Sequence, residues 1–377
     1  MKRQRLAALD VGSSKICCIT ADTDGTDLRI LGVGVSASAG IMKGQVTNQD
    51  AAKSAIKKAV KMAEQAAGYK INRALVNVTG RNVVSYNNRG VVAVNNRKQV
   101  ITEDDVDRVL EVVKQTDDNN EENTLLHLIP LQYAVDKQEG VKNPIGMHGF
   151  RLDVDAHIIN ASYSDIENLS KSVNGAGISI NQLIFNPLAS AEAVLSEDEK
   201  QSGVIMADIG ASITDVAIYK DGYIIRTAAI PVGGASVTHD ISVGLNVPED
   251  FAEMLKCRYV GVGPDDENRF EEVINENGYA IPYKDLYEIT KLRLDELMRL
   301  IMLELPDELF SGMRAGIVLT GGATNMPGIE NLAANITRLP VRIGTPPEIV
   351  GVSDDLYQPC YATAVGQLLW DLTRYEG

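Results

Sequence analysis

Positive charge is scarce in this chain: 36 lysines and arginines stand against 51 aspartates and glutamates, a net charge of −15 over 377 residues. Such a surface repels nucleic-acid phosphates, so no nucleic-acid partner is expected, and unaided adsorption to anionic lipid is disfavoured for the same reason. Cysteine is rare as well. Cys17, Cys18, Cys257 and Cys360 form no CxxC pair and no metal-ligating spacing with histidine. They read as small buried hydrophobes in a reducing cytosol, with the adjacent Cys17 and Cys18 facing opposite sides of a strand. No apolar run is long enough to span a bilayer, and no signal-peptide pattern opens the chain. The expectation is a soluble, intracellular protein. What remains is ordinary: 45% hydrophobic and 23% charged, with length enough for two or three domains.

One phrase is written twice. "LAALDVGSSKICCIT" runs from Leu6 to Thr20, and "GVIMADIGASITDVAIY" runs from Gly203 to Tyr219. Each passes from an apolar run through Asp-x-Gly and small residues into another apolar run. In the first copy Gly12, Ser13 and Ser14 make a tight turn rich in N–H groups, able to cradle phosphate oxygens. Asp10 at the strand end suits a hydrated Mg²⁺, and Lys15 suits phosphate oxygens. In the second copy Asp208 and Gly210 keep those places, followed by Ala211, Ser212 and Thr214. Asp-x-Gly alone is a weak signal. Two copies, each between apolar strands, imply two homologous lobes that present facing turns to one shared ligand.

Two Gly-Gly turns complete the pattern. Gly321 and Gly322 follow a strand at Ile317–Thr320 and precede a helix with Pro327 near its first turn, so their backbone could lie flat against a planar base or ribose. Gly233 and Gly234 precede another helical pattern and offer a second phosphate contact. In "PEDFAEMLKCRY", Glu253 and Lys256 stand one turn apart and could reach ribose hydroxyls and base together; in isolation they read as a surface ion pair.

The rest of the chain alternates strand and helix, which means α/β. Ala52, Ala55, Ile56, Ala59, Val60, Ala63 and Ala67 share one helical face, with Gly68 as the stop. Ala74–Val78 reads as a strand. Thr102 opens a second helix with the stripe Val106, Val109, Leu110 and Val113, and Ser164 to Glu167 reads as a capping box opening a third. Thr116–Asn123 reads as a solvated loop.

Asp-x-Gly, Asp-x-Gly and Gly-Gly in this order resemble the nucleotide-binding core of the actin, heat-shock-chaperone and sugar-kinase superfamily. "LLHLIPLQYAVDKQEGVKNPIGMHGFRLDVDAHII" (Leu125–Ile159), "LGVGVSASAGIMKGQVTN" (Leu31–Asn48), "NQLIFNPLASAEAVL" (Asn181–Leu195) and "YATAVGQLLW" (Tyr361–Trp370) are similar to the FtsA family of bacterial division proteins, which are actin homologues. The likeness covers essentially the whole chain. It implies an actin-like two-lobed fold of duplicated ribonuclease-H-like cores. The first-lobe core would span 1–83 and resume at 161–202 and in the final helix, 360–377. An inserted subdomain would occupy 84–160, the second-lobe core 203–239 and 313–359, and its small subdomain 240–312.

The resemblance further implies ATP and Mg²⁺ between the lobes, with Ala323 and Met326 joining the residues above, and head-to-tail filaments. It implies a tether for the tubulin-like division protein FtsZ, whose C-terminal tail would grip the small subdomain, and recruitment of late division proteins through the insert. The expected place is cytoplasmic, peripheral at the inner membrane of the septum. The helical stretch Tyr283–Leu305 fits the tail-binding role: Leu294, Leu297, Met298, Ile301 and Leu305 form its buried stripe, with Arg299 on the opposite face and Arg293 on its flank. Glu288, Asp295 and Glu296 lie close enough to neutralise both arginines.

Two departures qualify these implications. Ala211 and Ser212 stand where the superfamily commonly has glycines, and Ile213 where it commonly has threonine; no His, Gln or Glu stands out as a base for attacking water. Binding is therefore expected, and hydrolysis is expected to be slow or absent. Relatives usually continue into a linker and a C-terminal amphipathic membrane helix absent from this chain, so Leu368, Leu369, Trp370 and Leu372 are expected to pack on the first lobe, and this chain alone is not expected to bind lipid vesicles. Other readings on the same fold are a pilus-biogenesis or cell-shape assembly protein and a small-molecule kinase; the kinase would need a positioned Asp base, for which no motif is present.

Overall fold

The computed structural model describes residues 4–25, 27–115, 122–351 and 354–374. Of the loop expected at Thr116–Asn123, residues 116–121 lie outside this set, and Asn123 already begins a strand.

Two sheets share one topology. In the first lobe the strand order is Ser179–Phe185, Arg73–Val78, Gln4–Val11, Lys15–Thr23, Leu28–Ala37, with the short Val350–Gly351 at the far edge. The first three are mutually parallel, Lys15–Thr23 is antiparallel to both its neighbours, and Leu28–Ala37 is antiparallel to Lys15–Thr23 and parallel to the short edge strand. The second lobe repeats order and directions with Val341–Ile343, Gly316–Thr320, Val204–Ile209, Thr214–Lys220 and Tyr223–Ile230. The duplicated phrase occupies the same central hairpin in each. The actin-like α/β architecture read from the sequence is therefore present.

Alternation explains how one strand serves two layers. Leu6 and Ala8 pack with Ala364, Val365 and Leu368 of the final helix Ala362–Arg374, whereas Ala7, Leu9 and Val11 pack with Ala55, Ile56 and Ala59 of the helix Gln49–Ala67. Cys17 and Cys18 divide between the same two layers. The alanine face lets that helix sit very close to the sheet: a Cβ on Gly34 would fall 2.0 Å from the Ala59 carbonyl oxygen. The final helix packs on the first lobe as expected, with Leu368 and Trp370 buried and Leu369 and Leu372 against the same cores.

A four-stranded sheet, ordered Val83–Ala93, Arg151–Ser162, Asn123–Val135, Gln138–Val141, interrupts the first lobe and is covered by the helix Glu103–Gln115. One core joins this sheet (Ile159) to the first lobe (Phe185, Leu188) and the second (Met206, Tyr219).

Several local expectations need correction. Cys257 is exposed and Cys360 half-buried, because both face a cleft instead of a core. The helix expected to open with a Ser164–Glu167 box starts at Tyr163, and its cap residue Ser162 makes no side-chain cap bond; the preceding strand runs straight into the helix and occupies that place. Pro327 precedes the helix Ile329–Thr337 and does not sit in its first turn; a short 3₁₀ turn at Gly322–Asn325 intervenes. Among the described residues no helix is long and apolar enough to cross a membrane.

Candidate functional site

The two copies of the phrase end in the same turn. Gly12 N–H donates to the Lys15 carbonyl at 3.1 Å, and Gly210 N–H to the Ile213 carbonyl at 2.9 Å. A Cβ at either glycine would meet that carbonyl oxygen at 2.9 Å, so the same close approach excludes a side chain in both lobes. The turns face each other and touch: Ser212 Oγ donates to Ser13 Oγ at 2.7 Å.

They meet over a cavity of about 890 Å³. Its walls include Asp10, Gly12, Ser13, Ser14 and Lys15 from the first copy and Asp208, Gly210, Ala211 and Ser212 from the second. Gly234, Glu253, Lys256, Gly321, Gly322, Ala323 and Met326 complete the residues the sequence singled out. Gly233 alone of that set does not line the cavity. It underlies the second turn, where a Cβ would lie 2.6 Å from the Gly210 carbonyl oxygen and where Ala235 N–H bonds to the Ala211 carbonyl at 2.6 Å. Gly321 also has a different cause from the one expected. Its φ is +91°, and a Cβ would fall 2.3 Å from Asp208 Oδ1, so it is held by the strand end beside it; Gly322 is the one that stands open to the cavity.

The floor carries buried carboxyls. Asp10 is 8% exposed, and burial pushes its pKa up to about 7, with the Asp208 charge adding to the rise and Lys15 opposing it. Asn77 Nδ2 donates to Asp10 Oδ1 at 2.9 Å. Burial also raises Asp208, although the hydroxyls of Ser190 (2.5 Å) and Thr363 (3.0 Å) donate to its Oδ2. A third carboxyl, Asp215, is paired in register with Asp208 across the hairpin; burial holds it well above its ordinary range despite a 2.6 Å hydrogen bond from Thr79 Oγ1. The sequence reading omitted Asp215, although two aspartates flanking a short hairpin turn were visible. Asn77, Asn186, Ser190 and Thr363 come from distant segments and carried no local signal.

Lys15 Nζ donates to the Cys360 carbonyl at 2.5 Å and lies 4.1 Å from the Tyr361 ring centroid. On the opposite wall Lys256 Nζ binds Glu253 Oε2 (2.6 Å), Thr238 Oγ1 (2.8 Å) and the Gly234 carbonyl (3.1 Å). Burial raises the Glu253 pKa, but the bonds from Lys256 and Thr238 outweigh it and hold the carboxyl below its usual range.

The carboxyls fit a divalent cation in one particular way. Buried, mutually repelling carboxyls gain from a compensating positive charge, yet among the described residues no three potential ligands converge into a cage. That donor set suits an ion held through water and a ligand's own oxygens.

Away from this cavity, Arg299 lines a second hollow of about 590 Å³ with Met302, Leu303, Leu305, Phe310 and Ile336, and with the polar Asp307 and Thr337. Its guanidinium binds Asp295 at 2.5 Å, and its side chain is 69% exposed. Arg293 does not line the hollow; it is held by Asp240 and Glu296. Glu288 pairs with Lys284 instead of with either arginine.

Comparisons with known proteins agree with one another. The family model described as "Cell division protein FtsA" matches residues 205–366, and "SHS2 domain inserted in FTSA" matches residues 80–160. The chain is 35% identical to the cell division protein FtsA of Pseudomonas aeruginosa, over 98% of this chain and 89% of that one. It is 38% identical to its counterpart in Borreliella burgdorferi, over 98% and 91%. Among solved structures it resembles a PilM–PilN type IV pilus biogenesis complex (TM-score 0.71, 16% identity, 98% and 99% covered). It also resembles MreB5 of Spiroplasma citri bound to ADP (TM-score 0.56, 13% identity, 99% and 98% covered). At those identities the structural likenesses establish the fold.

Proposed function

This chain belongs to the FtsA family of cell-division proteins, and from that premise we propose that it is an ATP-binding, filament-forming adaptor that holds FtsZ at the inner membrane. The observation that carries the nucleotide reading is the meeting of the two duplicated turns, Ser212 on Ser13, over one large cavity. The MreB5 neighbour holds ADP. Here the N–H groups of the Gly12–Ser14 and Gly210–Ser212 turns would receive phosphate oxygens, and Lys15 would exchange the Cys360 carbonyl for one of them. Asp10 and Asp208 would hold Mg²⁺ through water, and the ion, when bound, offsets the charge gathered between carboxyls and phosphates. Glu253 is already ionised and oriented by Lys256, which equips it to accept a ribose hydroxyl.

Turnover should be slow. Asp215, the third carboxyl of the cleft floor, is buried, which raises its pKa, and it already accepts a hydrogen bond from Thr79, so it is engaged in the structure and not free to orient a water. Calorimetry should show ATP binding that requires Mg²⁺, while steady-state phosphate release stays below about 1 per second, the low end for dedicated enzymes. Faster release would reassign the protein as an enzyme, and absence of binding would remove the nucleotide reading.

The FtsZ tail is assigned to the Arg299 hollow, where an exposed guanidinium, paired with Asp295, and the Asp307 carboxyl rim a largely apolar trough. Arg299→Glu should weaken binding of an FtsZ tail peptide by about tenfold, read by fluorescence anisotropy. Arg293→Glu should act through stability instead, because it leaves Asp240 and Glu296 without their cation. Equal loss of peptide affinity from both, with unchanged melting, would place the grip elsewhere. Filaments follow from a head-to-tail contact that does not close on itself, with the 84–160 insert contributing to it and offering a surface to late division proteins.

A further inference from the structure

The insert is fastened to both lobes. On the first-lobe side, Phe185 N–H donates to His127 Nε2 at 3.0 Å, and the same ring meets Trp370 edge-on at 5.8 Å. On the other side, three side chains from one short stretch reach the second lobe. Thr79 Oγ1 donates to Asp215 Oδ1 on the cleft floor (2.6 Å). Ser85 Oγ donates to the Thr227 carbonyl (2.6 Å), and Asn87 Nδ2 to the Ile225 carbonyl (3.1 Å). Those carbonyls stand two residues apart on the edge strand of the second-lobe sheet, which their partners cap. His157, paired in register with Asn87, completes the joint through Asn87 Oδ1 (2.6 Å) and Thr227 Oγ1 (3.0 Å), and it is 1% exposed.

Asp215 and Thr227 belong to neighbouring antiparallel strands of one hairpin, so they move together. Separating the lobes at the cleft floor therefore either breaks these bonds or displaces the segment that leads from Thr79 into the first strand of the insert. We propose that residues 79–87 form a strap that couples lobe separation in the cleft to the position of the inserted sheet. Taken with the nucleotide reading, on which this part rests, whatever seats on the insert changes nucleotide affinity, and the nucleotide changes affinity at the insert by the same factor.

Hydrogen–deuterium exchange on the full chain tests this, comparing wild type with Ser85→Ala/Thr227→Val. Without ligand, the double variant should exchange faster at 79–93 and also at 208–216, by about fivefold for each hydrogen bond lost. Faster exchange confined to 79–93, with the cleft floor unchanged, would overturn the strap. In a second arm, ATP with magnesium chloride should slow exchange in wild type at both turns and at 83–93, whereas the double variant keeps protection at the turns and loses it at 83–93. Retained protection there would again overturn the coupling. If ATP protects neither turn, the nucleotide reading fails, and the ligand-free arm still decides the strap. Should the double variant melt far below wild type, Asn87→Ala at an exposed position supplies the same comparison.

Discussion

Asparagine in place of Asp10 is expected to stabilise the nucleotide-free protein at pH 8 and to weaken Mg–ATP binding in the same molecule. Asp10 is buried, and its folded pKa of about 7 lies above the ordinary 3.8. Between those values the folded state holds the proton more tightly than the unfolded chain does. The contribution of this group to stability therefore falls as pH rises through that window, and the penalty is complete above about pH 7. Each pKa unit corresponds to about 1.4 kcal/mol, so the penalty is of the order of a few kcal/mol. Asparagine removes the charge and keeps an oxygen able to accept the Asn77 Nδ2 hydrogen bond. Calorimetric melting should rise by several degrees at pH 8, and the gain should shrink towards pH 5, where the wild-type carboxyl is already protonated. Titration with Mg–ATP at pH 8 should lose at least about tenfold in affinity. A variant less stable than wild type at both pH values would mean that Asp10 is ionised and well satisfied, and the argument for a cation at this place would go with it.

The fold and the site were unequally legible in the sequence. The repeated phrase encoded a repeated hairpin, down to the same Gly-to-carbonyl bond in each turn, because Asp-x-Gly between apolar runs leaves the backbone few ways to reverse. Amphipathic faces were legible for the same local reason: Ala52, Ala55, Ala59 and Ala63 of the Gln49–Ala67 helix are buried where the periodicity puts them, Ala67 at its end is half-buried, and the Gly68 stop takes a left-handed φ of 76°. What escaped was set by tertiary contact. Nothing near Asn77 or Ser190 in the chain announces that these side chains end on Asp10 and Asp208. Gly233 and Gly321 have a structural requirement that the sequence does not show: Gly233 lies against the Gly210 backbone and away from the cavity, and Gly321, which does line the cavity, is also closed in by Asp208 Oδ1 and the Ile209 carbonyl. The cysteines followed a general tendency towards burial, which Cys257 and Cys360 escape because they stand at a cleft wall.

That separation of causes predicts opposite fates for two adjacent glycines. Alanine ordinarily gains a fraction of a kcal/mol over glycine by restricting the unfolded chain. At Gly321 the gain is overwhelmed: φ is +91°, and the added Cβ would lie 2.3 Å from Asp208 Oδ1 and 2.5 Å from the Ile209 carbonyl oxygen. Neither neighbour yields cheaply, since one is the buried carboxyl held by Ser190 and Thr363 and the other is strand backbone. Gly321→Ala should lose about 2 kcal/mol or more in denaturant unfolding, and it should displace Asp208 enough to abolish Mg–ATP binding. At Gly322 the nearest atom to a new Cβ is the Cys360 Cβ at 3.6 Å, an ordinary contact. Gly322→Ala should therefore unfold within about 0.5 kcal/mol of wild type. Gly322→Val, which extends methyl groups into the cavity beside Ala323, should keep that stability while lowering ATP affinity. The three variants together separate a glycine that the fold requires from one that the ligand requires. A stable Gly321→Ala would overturn the steric requirement at that position, and a Gly322→Val that binds ATP as wild type does would show that the third turn does not form the wall of the nucleotide site.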